Sequence, residues 1–174
     1  MARRLTGPPA WLASGVTLDR AIRNHIICDM TRVVLDTNIL IAASRSRQGA
    51  SFALLQALRQ RRFIALVSVP LLLEYEAVLK RPEQLLASGR TLAMTDAFLD
   101  ALCRYVEPVH LHYLWRPQTR DAADEMVLET ALNGRAQALV SLNIADFGKA
   151  ARRFRLPLMA PGEFYRQHLH KRGA

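Results

Sequence analysis

Short unbroken runs of aliphatic residues alternate along this chain with longer stretches in which apolar positions recur every three or four residues. The runs fall at 33–35, 63–67, 138–141 and 156–159. Runs of this length without polar alternation read as strands covered on both faces, the kind found in parallel sheets. The periodic stretches read as helices. Residues 50–62 place Phe52, Leu55 and Leu58 on one side. Residues 71–80 follow a capping Ser68 and a first-turn Pro70. Thr95 is placed to cap a helix over 96–105, and a short helical turn is expected at 83–87. Residues 121–133 end at Gly134, and 163–170 follow Pro161 and Gly162. Residues 106–119 carry Pro108 and Pro117 and read as irregular, with His110 and His112 exposed. The alternation predicts the α/β class, with helices on both faces of a parallel sheet.

Polar residues at the borders of these elements carry the candidate chemistry. The run RVVLDTNILIAAS brings Asp36, Thr37 and Asn38 to the carboxyl end of the first strand, where open α/β sheets bind ligands. A helix N-cap is the competing role for Asp36. Glu74 lies among leucines in LLLEYEAVLK, and a carboxylate there is either paired, metal-bound or turned to solvent. Glu76 is on a different face and reads as solvated. Asp121, Asp124 and Glu125 share a helical stripe with Leu128 and Leu132. Such acids suit a helix start, and suit it better beside a divalent cation. Asn143 and Asp146 follow the strand that ends in Ser141. Strand ends and helix starts share one edge of such a fold, so these side chains can converge on one acidic pocket. Oxygen donors without a Cys/His set suit Mg²⁺ or Mn²⁺.

Composition sharpens this picture. The 174 residues fit one domain, 51% are hydrophobic, and the formal net charge is +9. A basic balance favours a polyanionic partner, nucleic acid first. Only 15 residues are acidic, and six of them belong to the constellation, as expected of a metal site inside a phosphate-attracting surface. Arg45, Arg47, Arg152 and Arg153 are the candidate nucleic-acid contacts. Two cysteines without a CxxC pair argue against structural zinc and for a cytoplasmic protein. No apolar run reaches membrane-span length. Residues 1–29 read as an N-terminal extension of the kind an upstream start would append, 30–170 as the domain, and 171–174 as a basic tail.

Four segments in order, VVLDTNILIAA, SVPLLLEYEAVLKRP, RDAADEMVLETALNGRAQALVSLNIADF and LMAPGEFY, resemble PIN-domain proteins. The similarity is to the VapC-like group, described as ribonuclease toxins of bacterial toxin–antitoxin systems. It implies a three-layer α/β/α sandwich with a parallel, five-stranded sheet. It also implies RNA cleavage with Mg²⁺ or Mn²⁺, a cognate antitoxin and often a homodimer. Asp36 corresponds to the family's first acid and Glu74 to its second. Glu125 aligns as the third, with Asp124 the close alternative and Asp121 accessory, as are Thr37, Asn38 and Ser141. Asn143 stands where many relatives carry an Asp, with Asp146 three residues on. That departure supports an alternative, a non-catalytic PIN-fold module binding RNA or protein. A haloacid-dehalogenase reading would want Asp-x-Asp, and here Asn38 stands two after Asp36. Neither GxGxxG nor GK[ST] occurs.

Overall fold

Val33 and Val34 point to opposite faces of the first strand, and both are fully buried. That strand, β1 (Arg32–Leu35), is central to a five-stranded sheet in a computed structural model that describes residues 30–119 and 121–169. The expected extension at 1–29 and basic tail at 171–174 lie outside the described residues. β1 pairs with β2 (Ile64–Ser68) on one side and β4 (Ala138–Val140) on the other. β3 (Val106–Val109) lies outside β2 and β5 (Leu158–Met159) outside β4, and every pairing is parallel. The order β3-β2-β1-β4-β5 means that the chain winds outward from β1, then returns to its other side. Ligands of open α/β sheets sit at the carboxyl ends of strands where winding reverses. Here that crevice lies between the ends of β1 and β4.

Helices cover the sheet: α1 (Thr37–Arg45), α2 (Ala50–Arg59), α3 (Val69–Leu79), α4 (Pro82–Ser88) and α5 (Leu92–Cys103), then α6 (Ala122–Asn133), α7 (Ile144–Arg153) and α8 (Pro161–Phe164). α8 runs into a π-helical turn at Tyr165–Leu169. This is the α/β/α architecture expected of the sequence. The second apolar run, 39–43, is the middle of α1, with Ile39, Leu40 and Ala43 buried. α7 is a helix the apolar pattern hides, because its buried stripe is only Phe147, Ala150 and Ala151.

Three local expectations are corrected. Residues 106–109 are a strand despite Pro108, because among the described residues β3 is an edge strand that pairs on one side alone. The cap of α5 is Thr91, whose side chain accepts from the Met94 amide at 3.2 Å, while Thr95 is buried one turn inside the helix. α2 buries Ser51, Leu54, Ala57 and Leu58, whereas Phe52 and Leu55 line a groove of about 310 Å³ against Phe98, Leu102 and Tyr105. Gly134, after α6, has φ −77, so it is not needed for its backbone freedom. A Cβ there would stand 2.9 Å from the Thr130 carbonyl oxygen, Leu66 Cδ1 and Val109 Cγ2, so glycine allows α6 to reach the sheet.

Arginine occupies the left-handed position after three helices: Arg61 (φ 54) after α2, Arg135 (φ 50) after α6 and Arg155 (φ 52) after α7. In each case the next residue's amide bonds back to the helix, at Ala57, Ala131 and Ala151. A non-glycine residue there costs on the order of 1 kcal/mol.

Candidate active site

Asp36 sits at the N-cap position of α1, yet its side chain makes no capping hydrogen bond. Its Oδ2 instead accepts from Ser141 Oγ at 2.6 Å and from Asn38 Nδ2 at 2.5 Å. Ser141 is fully buried at the end of β4 and has one proton to give, which goes to Asp36. Its lone pairs accept from Asn38 Nδ2 at 3.1 Å and the Asn143 amide at 2.8 Å. Asn38 closes the lattice by accepting from the Leu142 amide at 3.1 Å. The ends of β1 and β4 are thus bonded through side chains at the point where the sheet's winding reverses. Thr37 Oγ1 is buried beside them with no hydrogen-bond partner among the described residues. Burial raises the Asp36 carboxyl above its usual range, and the Asp146 charge adds to this. The Ser141 hydrogen bond and the amides of Asn38 and Thr37 pull the other way.

α6 brings Asp124 into the same field. Its carboxyl is pushed up to about 6, first by burial and then by the charges of Asp36, Asp121, Asp146 and Glu125. Asp121 caps α6 by accepting from the Ala123 amide at 3.0 Å. Asp146 is exposed on α7 and accepts from Asn143 Nδ2. Glu125 turns away from the solvent, with 4% exposure. Its Oε1 accepts from the amides of Gln118 and Thr119 at 2.5 and 2.7 Å, while Oε2 has no hydrogen-bond partner among the described residues. Glu74 is half-buried on α3, next to Tyr75. The Tyr75 hydroxyl donates to the carbonyl of Leu35, the residue before Asp36, and so ties α3 to the end of β1. Glu76 instead joins a surface cluster, with Lys80 Nζ 2.5 Å from it and 2.6 Å from Asp96.

The basic candidates scatter. Arg45 bonds Gln84 at 2.7 Å, and Arg153 bonds Gln118 at 2.8 Å. Arg47 and Arg152 are exposed. The sequence reading passed over Glu129 and Asn133, which continue the Glu125 stripe at four-residue steps. Glu129 is fully buried and receives Arg116 at both oxygens, Nε and Nη2 each at 2.9 Å. Asn133 Oδ1 accepts from the amides of His112 and Tyr113 at 2.9 and 3.1 Å, and its Nδ2 donates to the Tyr113 carbonyl at 3.0 Å. The segment from 112 to 119 is thereby strapped along α6 towards Asp121. The spacing of Glu125, Glu129 and Asn133 was the available signal.

Carboxylates gathered at one strand edge of a basic protein, raising one another's affinity for protons, suit a cation. The donors are all oxygens, the unpartnered Thr37 Oγ1 and Glu125 Oε2 included, and in kind they fit a hard divalent ion. Among the described residues no three Asp, Glu, His or Cys side chains are close enough together to hold one. The described helices include none long and apolar enough to cross a membrane.

The fold and site define an α/β protein with an acidic crevice at the carboxyl edge of a parallel sheet. The protein belongs to the PIN-domain family, whose model matches residues 32–145. Among solved structures, a chain of VapBC2 from Rickettsia felis, bound to a DNA fragment from their promoter, shares the fold with a TM-score of 0.55. The two are 17% identical over 75% of this chain and 98% of that one. No curated protein matches the sequence.

Proposed function

We propose that this protein is a divalent-metal-dependent endoribonuclease, cleaving single-stranded or structured RNA in the cytoplasm as the toxin of a type II toxin–antitoxin pair. The observation that carries the reading is the gathering of Asp36, Asp121 and Asp146 around Asp124, whose carboxyl they raise, where the winding reverses. PIN-domain membership and the fold likeness to VapBC2 support the toxin role, with an antitoxin protein as partner; a homodimer is the working unit of this reading. Asp36 and Asp124 would hold Mg²⁺ or Mn²⁺, with Glu74, Glu125, Asp146 and the Asn143 carbonyl oxygen as further donors. Such an ion polarises the phosphate, lowers the pKa of a water and stabilises the leaving oxygen.

The chain's own residues do the rest. Ser141 and Asn38 fix the Asp36 carboxylate so that it need not reorganise on binding. The protein's excess of basic residues attracts the RNA backbone, with Arg45, Arg47, Arg152 and Arg153 as candidates. Water is the nucleophile, so no covalent intermediate forms. A second reading, a non-catalytic module that binds RNA or protein, draws on Asn143, which stands in an acid's place and gives its amide to Asp146.

The test compares wild type with Asp36→Asn on a labelled mixed-sequence RNA, each with Mn²⁺, Mg²⁺ or EDTA. Cleavage by wild type alone, and only with metal, is the expected result. Undiminished cleavage by folded Asp36→Asn would refute the site. RNA or partner binding that survives EDTA, with no cleavage by wild type in Mn²⁺ or Mg²⁺, would favour the module.

A further inference from the structure

A second set of side chains lies at the other end of the strap along α6. Tyr113 and Leu114 are 67% and 64% exposed. The Tyr113 ring stands 5.7 Å from Trp115 at 42°, Trp115 stands 6.0 Å from Phe154 at 64°, and the Arg153 guanidinium lies 5.7 Å over Phe154. Arg152, Arg153 and Arg155 are exposed around the end of α7, and Arg135 is exposed at the end of α6. Exposed tyrosine in a mobile loop would mean little. Here Asn133 holds the Tyr113 backbone by both its amide and its carbonyl, so the ring is presented on a fixed support. An exposed tyrosine backed by the half-buried rings of Trp115 and Phe154 and flanked by exposed arginines is the kind of surface single-stranded nucleic acid uses. Bases stack on the rings and phosphates meet the guanidinium groups. Arg155 keeps its charge at a position where glycine would relieve the backbone.

We propose that Tyr113, Trp115 and Phe154, with Arg153, form a stacking platform for single-stranded RNA. It rests on the ribonuclease reading and adds to it a binding site outside the acidic crevice. Asn133, beneath the platform, lies eight residues along α6 from Glu125, about 12 Å by helical rise. One strand can therefore span platform and crevice within a few nucleotides.

The test measures binding of a short fluorescein-labelled RNA of mixed sequence and of a matched abasic strand to the full chain, in EDTA. Folding of each variant is checked by circular dichroism. Tyr113→Ala should bind the RNA about 5- to 100-fold more weakly than wild type, and Tyr113→Phe about as well. On the abasic strand, wild type and Tyr113→Ala should bind alike, with the same salt slope, because no phosphate contact is lost. Equal RNA binding by wild type and Tyr113→Ala would overturn the platform and leave the patch to a protein partner. An equal loss on both strands would also overturn it, since the effect would not be stacking. If wild type bound neither strand, the platform would fail, while cleavage of the same RNA with Mn²⁺ or Mg²⁺ would keep the ribonuclease reading. Tyr113-dependent binding, with no cleavage of the same RNA once Mn²⁺ or Mg²⁺ is supplied, would remove the ribonuclease reading alone.

Discussion

Replacing Arg116 by alanine removes the guanidinium that meets both oxygens of Glu129, each at 2.9 Å. Glu129 is fully buried, so its carboxylate would be left in low dielectric without its ion-pair partner. Breaking one half of a buried pair costs about 3–5 kcal/mol. The Arg116 side chain is 46% exposed, so water can enter from that side and the lower end applies, about 3 kcal/mol. That is a large share of the roughly 5–15 kcal/mol that holds a domain folded. Urea unfolding at pH 7, followed by circular dichroism, measures it. With a slope of about 2 kcal/mol/M, the midpoint should fall by about 1.5 M with the slope unchanged. The double variant Arg116→Ala with Glu129→Leu removes the orphaned charge and should recover most of the loss. An Arg116→Ala midpoint within about 0.5 M of wild type would refute the reasoning, roughly 1 kcal/mol on the same slope. So would a double variant no better than the single.

Two further outcomes follow from the site and its support. Asp124 has a folded-state value near 6 against an ordinary 3.8, so the fold favours its protonated form. Its share of stability is therefore full below pH 3.8 and is lost as pH rises through about 6. Thermal scans in EDTA should show Asp124→Asn lacking that part of the decline and melting higher at pH 7. With metal kept limiting, cleavage by wild type should weaken as pH falls, because protons compete with the ion for Asp124. A wild-type and variant pair with the same pH slope would contradict the assignment. Gly134→Ala sets an unfolded-state gain of about 0.4–1 kcal/mol against an overpacking cost of about 1–3 kcal/mol. With the Thr130 carbonyl 2.9 Å away and unable to yield, a net loss of about 1–2 kcal/mol is expected, and unchanged urea stability would oppose it.

The parts of this fold legible in the sequence are those where one signal dominates. Val33 to Leu35 leading into Asp36 read as a buried strand with an acid at its end, and that is how they lie. Ser68 before Pro70 read as a helix start, and its Oγ accepts from Leu71. Where two signals competed, the pattern misled. Pro108 spoke against a strand, but among the described residues β3 has only one neighbour to satisfy. Thr91 and Thr95 are equally good caps on paper, and only the run of buried positions decides between them. α7 escaped because alanines and one phenylalanine form its inner face. Asp124 and Glu125 are adjacent, so counting along the chain could not separate their directions. The structure gives Glu125 Oε1 to the strap and sets Asp124 among the other acids. Tyr113, Trp115 and Phe154 come from separate segments, and no local pattern announces that they meet.

The left-handed arginines have a consequence for the molecule as a whole. In a parallel sheet, a helix that leads into a strand ends at that strand's amino edge, so Arg61, Arg135 and Arg155 mark the edge opposite Asp36. Among the described residues, these three arginines thus stand at the edge opposite the acids gathered around Asp36. A body with such a dipole feels a torque in the field of a polyanion and turns before it touches. Encounter then begins from the arginine pole, while the acidic pole admits phosphate only as its own charge is neutralised. Orientation of this kind acts over roughly 10 Å in dilute buffer and is screened by added salt.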